Sequence, residues 1–328
     1  MRKQLSLAAA LLALAGCDNG GANGTIGVTA AGIVRGALYF DANGSGSRDA
    51  GDVGFGGAAV RVLSPVGADT ILRTTTGADG SFRFASVPVG TWRVVFDSAS
   101  VGDTAFVVGT RSVTVTVLPG DSAEVVGAVS YPVRTVAQAR VLAPGQRVFV
   151  RAIALNERAT FSDTTLHVVD LTGAIRATRV RPSTPGVATG DSVILRARIA
   201  DRLGQRVLDD VSVFVVGPSF VPTAPSLTTV LAATGGTAGA LDAALVRIAD
   251  ALVTDTATVS GNFQMTVTDG SGALVVILDR AADATFRAPL PLNLYVPTNR
   301  FDVVGILVPT GAGTWRLKPR SSLDLLRR

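Results

Sequence analysis

The segment Val168-Val169-Asp170-Leu171-Thr172-Gly173-Ala174-Ile175 (VVDLTGAI) decides how the C-terminal part of the chain folds, because a second version of it follows. The second version occupies residues 267–274 (VTDGSGAL). In both segments apolar residues flank a four-residue turn that begins with Asp and ends with Gly, which is typical of a β-hairpin. The sequence therefore predicts an internal repeat built around two hairpins.

The repeat extends outward from the hairpins. Residues 148–152 correspond to 245–249, and residues 190–195 correspond to 299–304. Each copy then contains five or six strands in about 85 residues, which suits a small closed barrel of the OB type. We place repeat 1 at residues 133–217 and repeat 2 at residues 226–321. The Pro-rich run 218–225 separates them, and short helices are expected at 136–142 and 226–233.

Residues 31–130 contain short alternating runs of Val, Thr and Phe separated by Gly, Asp and Pro. Seven or eight such strands in about a hundred residues predict a β-sandwich. The pair Asp79-Gly80, between residues 73–76 and 81–84, predicts a hairpin turn. The predicted fold class is therefore all-β: an immunoglobulin-like or transthyretin-like sandwich followed by two tandem OB-like barrels.

The N-terminal segment MRKQLSLAAALLALAGC is typical of an export signal. Arg2 and Lys3 precede an apolar run that is too short to span a bilayer of roughly 30 Å. Residues 14–17 (LAGC) match the bacterial lipobox, so we expect residues 1–16 to be removed and Cys17 to carry a lipid. Residues 17–30 then form a flexible tether. The alternative is an ordinary cleaved signal peptide in which Cys17 is incidental.

The lipobox implies a bacterial lipoprotein in the cell envelope, exported and held at a membrane through Cys17. Because Cys17 is the only cysteine, no disulfide can form within the chain. The formal net charge is +5. Nearly all basic residues are arginines, since Lys3 and Lys318 are the only lysines. This charge is only a weak indication of a polyanionic partner.

Residues 33–97 resemble the B-type repeats of Gram-positive surface adhesins (SdrD B-like domains) and the related carboxypeptidase-regulatory-like modules. The resemblance rests on residues 39–44 (YFDANG) and 79–84 (DGSFRF). It implies a sandwich used as a stalk or spacer, which calcium stiffens in some relatives. The Lys–Asn isopeptide crosslink of other relatives is excluded, because no lysine lies between Lys3 and Lys318.

The segment 41–52 has the spacing of an EF-hand-like calcium loop, with Gly46 at the sixth position. Oxygen donors stand at positions 1, 3, 5, 7, 9 and 12, namely Asp41, Asn43, Ser45, the carbonyl of Ser47, Asp49 and Asp52. Because the loop has only three carboxylates, we expect weak calcium binding, with a dissociation constant on the order of 10⁻⁴ to 10⁻³ M. The alternative is a plain solvated turn, because these residue types dominate turns.

The two repeats also resemble the OB-fold-like modules of bacterial surface proteins, on the pattern D-x-[TS]-G-[AG]-[IL]. Barrels of this type often bind single strands or oligosaccharides, and single-strand binding uses aromatic platforms in a basic groove. The segment 315–320 (WRLKPR) combines both features, so Trp315, Arg316 and Lys318 are the candidate ligand contacts. The alternative is a last strand whose Trp315 covers the barrel core.

Catalytic motifs are scarce. His167 is the only histidine and lies in an apolar strand, so we interpret it as structural. No Gly-x-Ser-x-Gly elbow, zinc cluster, Walker loop or dinucleotide fingerprint occurs in the sequence. A carboxylate pair for glycoside hydrolysis stays open as an alternative, although the chain has only two glutamates, Glu124 and Glu157.

The sequence therefore predicts a surface-exposed, non-catalytic lipoprotein for adhesion, scaffolding or ligand capture, with a weak calcium site in its first domain. Its partner, a surface protein or a polysaccharide, is not specified by the sequence. The second hypothesis is that the tandem barrels bind single-stranded nucleic acid or polysaccharide, with nucleic acid less favoured.

Overall fold

The computed structural model describes residues 30–102, 105–108, 111–286, 294–311 and 313–328. Within these residues nearly all of the regular secondary structure is β-strand, and the strands form four sheets. Two sheets pack as a sandwich and each of the others closes into a barrel, which confirms the predicted fold class. None of the helices in the described ranges is both long and apolar enough to cross a membrane.

The sandwich encloses a core that includes the rings of Phe82, Phe84 and Phe96. Phe82 lies edge-on to the other two rings, with centroids 6.0 and 5.8 Å away. The strands of the sandwich are β1 (Ala31–Phe40), β2 (Val53–Gly54), β3 (Ala59–Leu63), β4 (Thr70–Thr75), β5 (Ser81–Pro88), β6 (Gly90–Phe96), β7 (Phe106–Val108), β8 (Ser112–Val117) and β9 (Ser122–Ser130). One sheet has the order β2-β1-β9-β7, with β5 also paired to β1, and the other has the order β4-β3-β6-β8.

The Asp79-Gly80 turn corrects one expectation. The turn is present, but β4 pairs with β3 and β5 pairs with β1, so the chain crosses from one sheet to the other instead of forming a hairpin. Gly80 has a φ of +79°, and a Cβ there would lie 2.1 Å from the carbonyl oxygen of Leu38. Glycine is therefore required both by the left-handed backbone and by the close approach of β1.

Barrel 1 follows the sandwich after only two residues, Tyr131 and Pro132. Its elements are β10 (Val133–Arg134), α1 (Val136–Arg140), β11 (Arg147–Ala154), β12 (Leu166–Asp170), β13 (Gly173–Thr178), β14 (Asp191–Arg202) and β15 (Gln205–Pro218). The order β11-β12-β13-β15-β14 closes because β14 also pairs with β11. Strands β13 and β15 run parallel, and the other pairs within the closed ring are antiparallel.

Barrel 2 repeats this topology. Its elements are α2 (Thr229–Ala233), β16 (Leu245–Val259), β17 (Asn262–Thr268), β18 (Leu274–Leu278), β19 (Arg300–Pro309), β20 (Trp315–Lys318) and β21 (Leu325–Arg327). The order β16-β17-β18-β20-β19 closes through β19 and β16, and β21 adds to β19. Strands β11 and β16 occupy equivalent places, as do β14 and β19, so the topology agrees with the repeat read from the sequence.

The Asp-x-[Thr/Ser]-Gly hairpins have a structural role in both barrels. In barrel 1, the carboxylate of Asp170 accepts the N–H of Val136, the first residue of α1, at 2.8 Å, and the hydroxyl of Thr172 accepts the next N–H at 3.0 Å. In barrel 2, Asp269 and Ser271 accept the first two N–H groups of α2 at 3.1 and 3.2 Å. The motif therefore satisfies the free amides at the helix start, which explains why it recurs.

The two barrels share an apolar contact. Leu155 and Phe161 of barrel 1 pack with Leu245, Ile306 and Val308 of barrel 2, and all five side chains are buried. A buried apolar surface of this kind stabilises the pair in one arrangement.

Candidate functional site

Strand β20 carries the residues that the sequence assigns to ligand contact, and it divides them between two faces. Side chains alternate along a strand, so Trp315 and Leu317 point into the core of barrel 2, whereas Arg316 and Lys318 lie on its outer face. Trp315 is only 6% exposed, and its Nε1 donates to Asp242 Oδ1 at 3.1 Å. The hypothesis of an aromatic ligand platform at Trp315 is therefore wrong, and the alternative of a core residue holds.

Lys318 lies on the outer face of barrel 2 but is only 5% exposed, because barrel 1 covers it. Its Nζ lies 3.3 Å from Asp163 Oδ2 of barrel 1 and 3.1 Å from Asp279 Oδ2 of barrel 2. It also lies 4.2 Å from the ring centroid of Phe161. Lys318 therefore connects the barrels, since its charge is shared by carboxylates from both.

Arg320, the third cation of the segment 315–320, is also used within the protein. Its guanidinium makes a two-pronged ion pair with Asp324, with both distances 2.9 Å, and donates to the carbonyl of Leu155 in barrel 1 at 3.2 Å. Of the three cations in the segment, Arg316 is the one whose Nε is buried without a hydrogen-bond partner among the described residues.

A groove of about 260 Å³ opens beside Lys318 and Arg316, between the barrels. We call it the inter-barrel groove, and its polar lining includes Asp163, Asn262, Gln264, Asp279, Arg316 and Lys318. Asn262 and Gln264 come from β17, and the other barrel 2 residues lie on or just after β18 and β20. Strands 2 and 3 of an OB barrel form its usual binding face, and β17 and β18 are those strands here.

The charges of the inter-barrel groove are largely balanced. Burial alone would raise the pKa of Asp279, but the N–H of Ala281 and the Lys318 ammonium together lower it below its usual value. Ser162 adds two hydrogen bonds to the same carboxylate oxygen, at 3.2 and 2.9 Å. The groove thus presents ionised carboxylates, amides and guanidinium N–H groups, a mixture suited to hydroxyl-rich ligands more than to phosphates.

Asp242 forms a second polar centre at the barrel junction, and it is fully buried. Besides the indole of Trp315, its carboxylate accepts from Arg176 Nε of barrel 1 at 3.2 Å. Arg140, at the end of α1, lies 4.0 Å away and also donates to the carbonyls of Gly239 and Ala240. These contacts link the core of barrel 2 to barrel 1, so we assign them to structure.

His167 is buried in barrel 1, as its apolar strand suggests. Its Nδ1 lies 3.0 Å from Asn156 Oδ1, an acceptor, so Nδ1 carries the proton and donates. Its Nε2 has no partner in the part of the chain that the structure describes. Burial lowers the pKa of His167 to about 3, which keeps the ring neutral at physiological pH.

The segment 41–52, here called the Asp41 loop, folds around its own acidic side chains. Asp41 is buried and accepts N–H groups from Gly44, Ser45 and Gly46 at 2.7, 3.1 and 2.8 Å. The carboxylate of Asp49 accepts from Ser45 Oγ at 2.6 Å, and this bond lowers its pKa. In the described ranges, no three acids, histidines or cysteines come together as a metal-binding group.

The other candidate calcium ligands of the Asp41 loop also form hydrogen bonds within the loop. Asn43 Nδ2 donates to Asp49 at 2.9 Å, and Ser45 Oγ lies 3.0 Å from the carbonyl oxygen of Ser47. Asp52 accepts N–H groups from Ala42 and Asp49, at 2.9 and 2.8 Å. The oxygen donors suit calcium chemically, but its binding requires Asp49 to exchange these internal bonds for the cation.

The loop lies against barrel 1. A Cβ at Gly44 would lie 3.7 Å from the ring of Phe149 and 3.8 Å from Ile194. The predicted signal peptide, Cys17 and nearly all of the tether fall outside the described residues.

The sequence did not identify the acidic and amide residues of the inter-barrel groove. Asp163 and Asp279 are far apart in sequence, and no local motif marks their approach to Lys318. Asn262 and Gln264 show only the alternation of a strand. The usable signal was their place on the second strand of the predicted barrel.

Comparison with known proteins identifies the first domain. Residues 35–115 match the SdrD B-like domain family, which confirms the resemblance read from the sequence. No curated protein sequence matches the chain.

Several solved structures match the chain at low identity and low TM-score. The minor pilin GBS52 of Streptococcus agalactiae has 9% identity and a TM-score of 0.24; the match covers 31% of this chain and 45% of the pilin. A mutant of the shaft pilin SpaA of Lactobacillus rhamnosus GG has 10% identity and a TM-score of 0.24, covering 58% and 100%. The HINa domain of Ifi202, solved with a 20-base-pair dsDNA, has 11% identity and a TM-score of 0.28, covering 54% and 93%.

Proposed function

We propose that the protein is an exported, lipid-anchored surface protein that acts without catalysis, in adhesion, scaffolding or ligand capture. The observation that carries the proposal is the SdrD B-like match at residues 35–115, directly ahead of two barrels that pack together. The lipobox at residues 14–17 supplies the anchor. In this arrangement the sandwich acts as a spacer between the membrane and the barrels.

The chemistry of the described side chains is consistent with a non-catalytic role. The buried, neutral His167 hydrogen-bonds to Asn156, and its Nε2 has no hydrogen-bond partner among the described residues. Asp242 is used at the barrel junction, and the carboxylate of Asp279 is occupied by Ser162 and Lys318. These acids therefore position protein groups and are not free for proton transfer.

Lipid attachment at Cys17 is tested by radiolabelled palmitate in a bacterial host. Wild type is expected to take up label and to fractionate with membranes, whereas Cys17→Ala does neither and is released as a soluble form. A Cys17→Ala variant that stays membrane-bound would contradict the anchor. Because Cys17 precedes the first described residue, Ala30, in the sequence, the variant should melt like wild type, which serves as the control.

The inter-barrel groove supports a second candidate function, capture of a polysaccharide rich in hydroxyl groups. The supporting observation is its lining of amides, carboxylates and the guanidinium of Arg316, whose Nε has no hydrogen-bond partner among the described residues. Nucleic acid is less favoured there, because the Trp315 ring is buried and two carboxylates face the groove.

A panel of neutral oligosaccharides tests the groove by isothermal calorimetry. Gln264→Ala is expected to weaken binding of any oligosaccharide that wild type takes up, since one polar contact contributes about 1 kcal/mol. Gln146→Ala is the matched control, because Gln146 is an exposed residue of barrel 1 away from the groove. Equal binding by both variants would contradict the groove as the site.

The Asp41 loop is the third element of the proposal, as a weak calcium site. Support comes from the oxygen donors in EF-hand-like order and from the seating of Gly44 against Phe149 of barrel 1. Calcium at this position would stiffen the loop that contacts barrel 1, and so the passage from sandwich to barrels.

A further inference from the structure

A second concave surface lies on barrel 1, away from the inter-barrel groove. It is a cleft of about 210 Å³ beside the junction with the sandwich. We call it the basic cleft, and its lining includes Tyr131, one acid, Asp210, and four arginines, namely Arg147, Arg181, Arg196 and Arg198. The arginines come from β11, from β14 and from the segment after β13, so the fold gathers four cations from three places in the sequence.

Most of these cations lack an acidic partner. Arg181 is paired with Asp210 at 2.8 Å. Arg147 donates to the hydroxyl of Tyr131 at 2.9 Å, and Arg196 to that of Ser212 at 3.4 Å. Across the described part of the chain, Arg147, Arg196 and Arg198 form no ion pair within 4.0 Å. The cleft therefore has an excess of positive charge that the described residues do not neutralise.

Two of the arginines face each other directly. Arg147 on β11 and Arg198 on β14 are cross-strand partners in the antiparallel pair, and both side chains are exposed. Like charges in this position are destabilising. Asp209, the cross-strand partner of Arg198 on β15, is instead engaged by Arg179 and Arg202. An anion bound between Arg147 and Arg198 would relieve their repulsion.

We propose that the basic cleft binds the carboxylate groups of an acidic polysaccharide such as a polyuronate. Arginine presents a planar fork of N–H donors that matches a carboxylate in two-pronged geometry. The cleft is smaller than sites that enclose a drug-sized ligand, about 300–1,000 Å³. It therefore fits one acidic unit of a longer chain that continues over the surface.

The aromatic residue of the cleft favours a glycan over a single-stranded nucleic acid. Tyr131 packs against Phe40 and Phe149, with ring centroids 5.0 and 5.7 Å away, and Arg147 lies over it at 5.8 Å. Its ring already contacts two other rings and a guanidinium, which leaves less of it for stacking by a base. Single-strand binding relies on such stacking. The proposal concerns a surface distinct from the inter-barrel groove and holds whether or not the groove binds a ligand.

The test measures binding of tetragalacturonate, with maltotetraose as the neutral control and an oligothymidylate as the nucleic-acid control. At low salt, wild type is expected to bind tetragalacturonate and not maltotetraose at the basic cleft. Arg198→Gln should weaken tetragalacturonate binding about tenfold, since a hydrogen bond to a charged group is lost. Arg151→Gln, on the same outer face of β11 but outside the cleft, should bind like wild type.

Stability separates a binding effect from misfolding. Arg198→Gln removes one of two like charges and no ion pair, so its melting temperature should equal or exceed that of wild type. Failure of wild type to bind tetragalacturonate at low salt, or equal affinity in Arg198→Gln, overturns the proposal. Tighter binding of the oligothymidylate than of tetragalacturonate, lost in Arg198→Gln, also overturns it and assigns the cleft to nucleic acid.

Discussion

The junction between the two barrels buries ionic groups, whereas the junction between the sandwich and barrel 1 rests on aromatic rings. At the barrel junction, Asp242 is fully buried among Arg176 and Trp315, and Lys318 is held between two carboxylates. At the sandwich junction, the half-buried Tyr131 packs between Phe40 and Phe149. The first junction is specified by directional contacts and the second by shape.

The difference indicates how the molecule is organised. The Asp242 carboxylate ties a core residue of barrel 2 to an arginine of barrel 1, so loosening one barrel leaves a buried charge of the other unpaired. The contact between the sandwich and barrel 1 does not depend on pairing a buried charge. It rests on aromatic packing, which tolerates small shifts. We therefore expect the barrels to unfold together and the sandwich to unfold separately.

The largest expected effect comes from breaking the ionic junction with Asp242→Asn. The substitution keeps the volume but leaves Arg176 buried without a charge partner, which costs about 3–5 kcal/mol of unfolding free energy. Urea unfolding followed by indole fluorescence measures this. In a Trp92→Phe background the remaining indole, Trp315, lies in barrel 2 and reports on the barrels alone.

The matched control is Asp210→Asn. Asp210 also pairs with an arginine, Arg181, but both side chains are more than half exposed, so the expected loss is about 0–1 kcal/mol. If Asp242→Asn costs no more than Asp210→Asn, the ionic junction does not hold the barrels together.

A second prediction uses the pH dependence of stability in barrel 1. Burial holds the pKa of His167 near 3 in the folded state, against about 6.5 in the unfolded chain. Below pH 6.5 the unfolded chain takes up a proton that the folded protein refuses, so stability is full above this pH and falls as the pH drops toward 3. The expected loss is about 1.4 kcal/mol per pH unit, or roughly 2–3 kcal/mol between pH 6.5 and 4.5.

Unfolding free energies of wild type and His167→Gln across that pH range check this prediction. His167 is the only histidine, and the aspartates whose pKa is lowered titrate at lower pH. His167→Gln should therefore show a nearly flat profile, whatever its absolute stability. A slope as steep as that of wild type would show that other groups are responsible.

The fold could be predicted from the sequence because its patterns are local and repeated along the chain. The inter-barrel groove could not, because the residues that contact each other there are far apart in sequence. Alternation and the Asp-x-[Thr/Ser]-Gly hairpins gave the two barrels, because a hairpin joins neighbouring strands. The pair Asp79-Gly80 correctly predicted a turn, but it did not predict that the two flanking strands belong to different sheets. A turn does not specify the strands with which its flanking strands pair. Trp315 and Lys318 are close in sequence, yet strand alternation places Trp315 in the core of barrel 2. Lys318 lies on the outer face, where it is buried between the barrels and pairs with Asp163, 155 residues away.

The smallest expected effect concerns the sandwich junction. Calcium binding to the Asp41 loop should change the stability of the sandwich and leave that of the barrels unchanged. If the Asp41 loop binds calcium with the weak affinity expected, calcium at about 5 mM should stabilise the sandwich by about 1–2 kcal/mol. Differential scanning calorimetry would show this as an upward shift of the sandwich transition alone. Asp49→Asn should abolish most of the shift, since it removes the carboxylate that must exchange its hydrogen bond from Ser45 for the cation.

Asp79→Asn is the control, because Asp79 is also exposed and accepts a serine hydroxyl, from Ser81 at 2.7 Å, but lies outside the loop. A shift that Asp49→Asn and Asp79→Asn show equally would place the calcium elsewhere, and a shift in the barrel transition would mean that the two junctions are coupled after all.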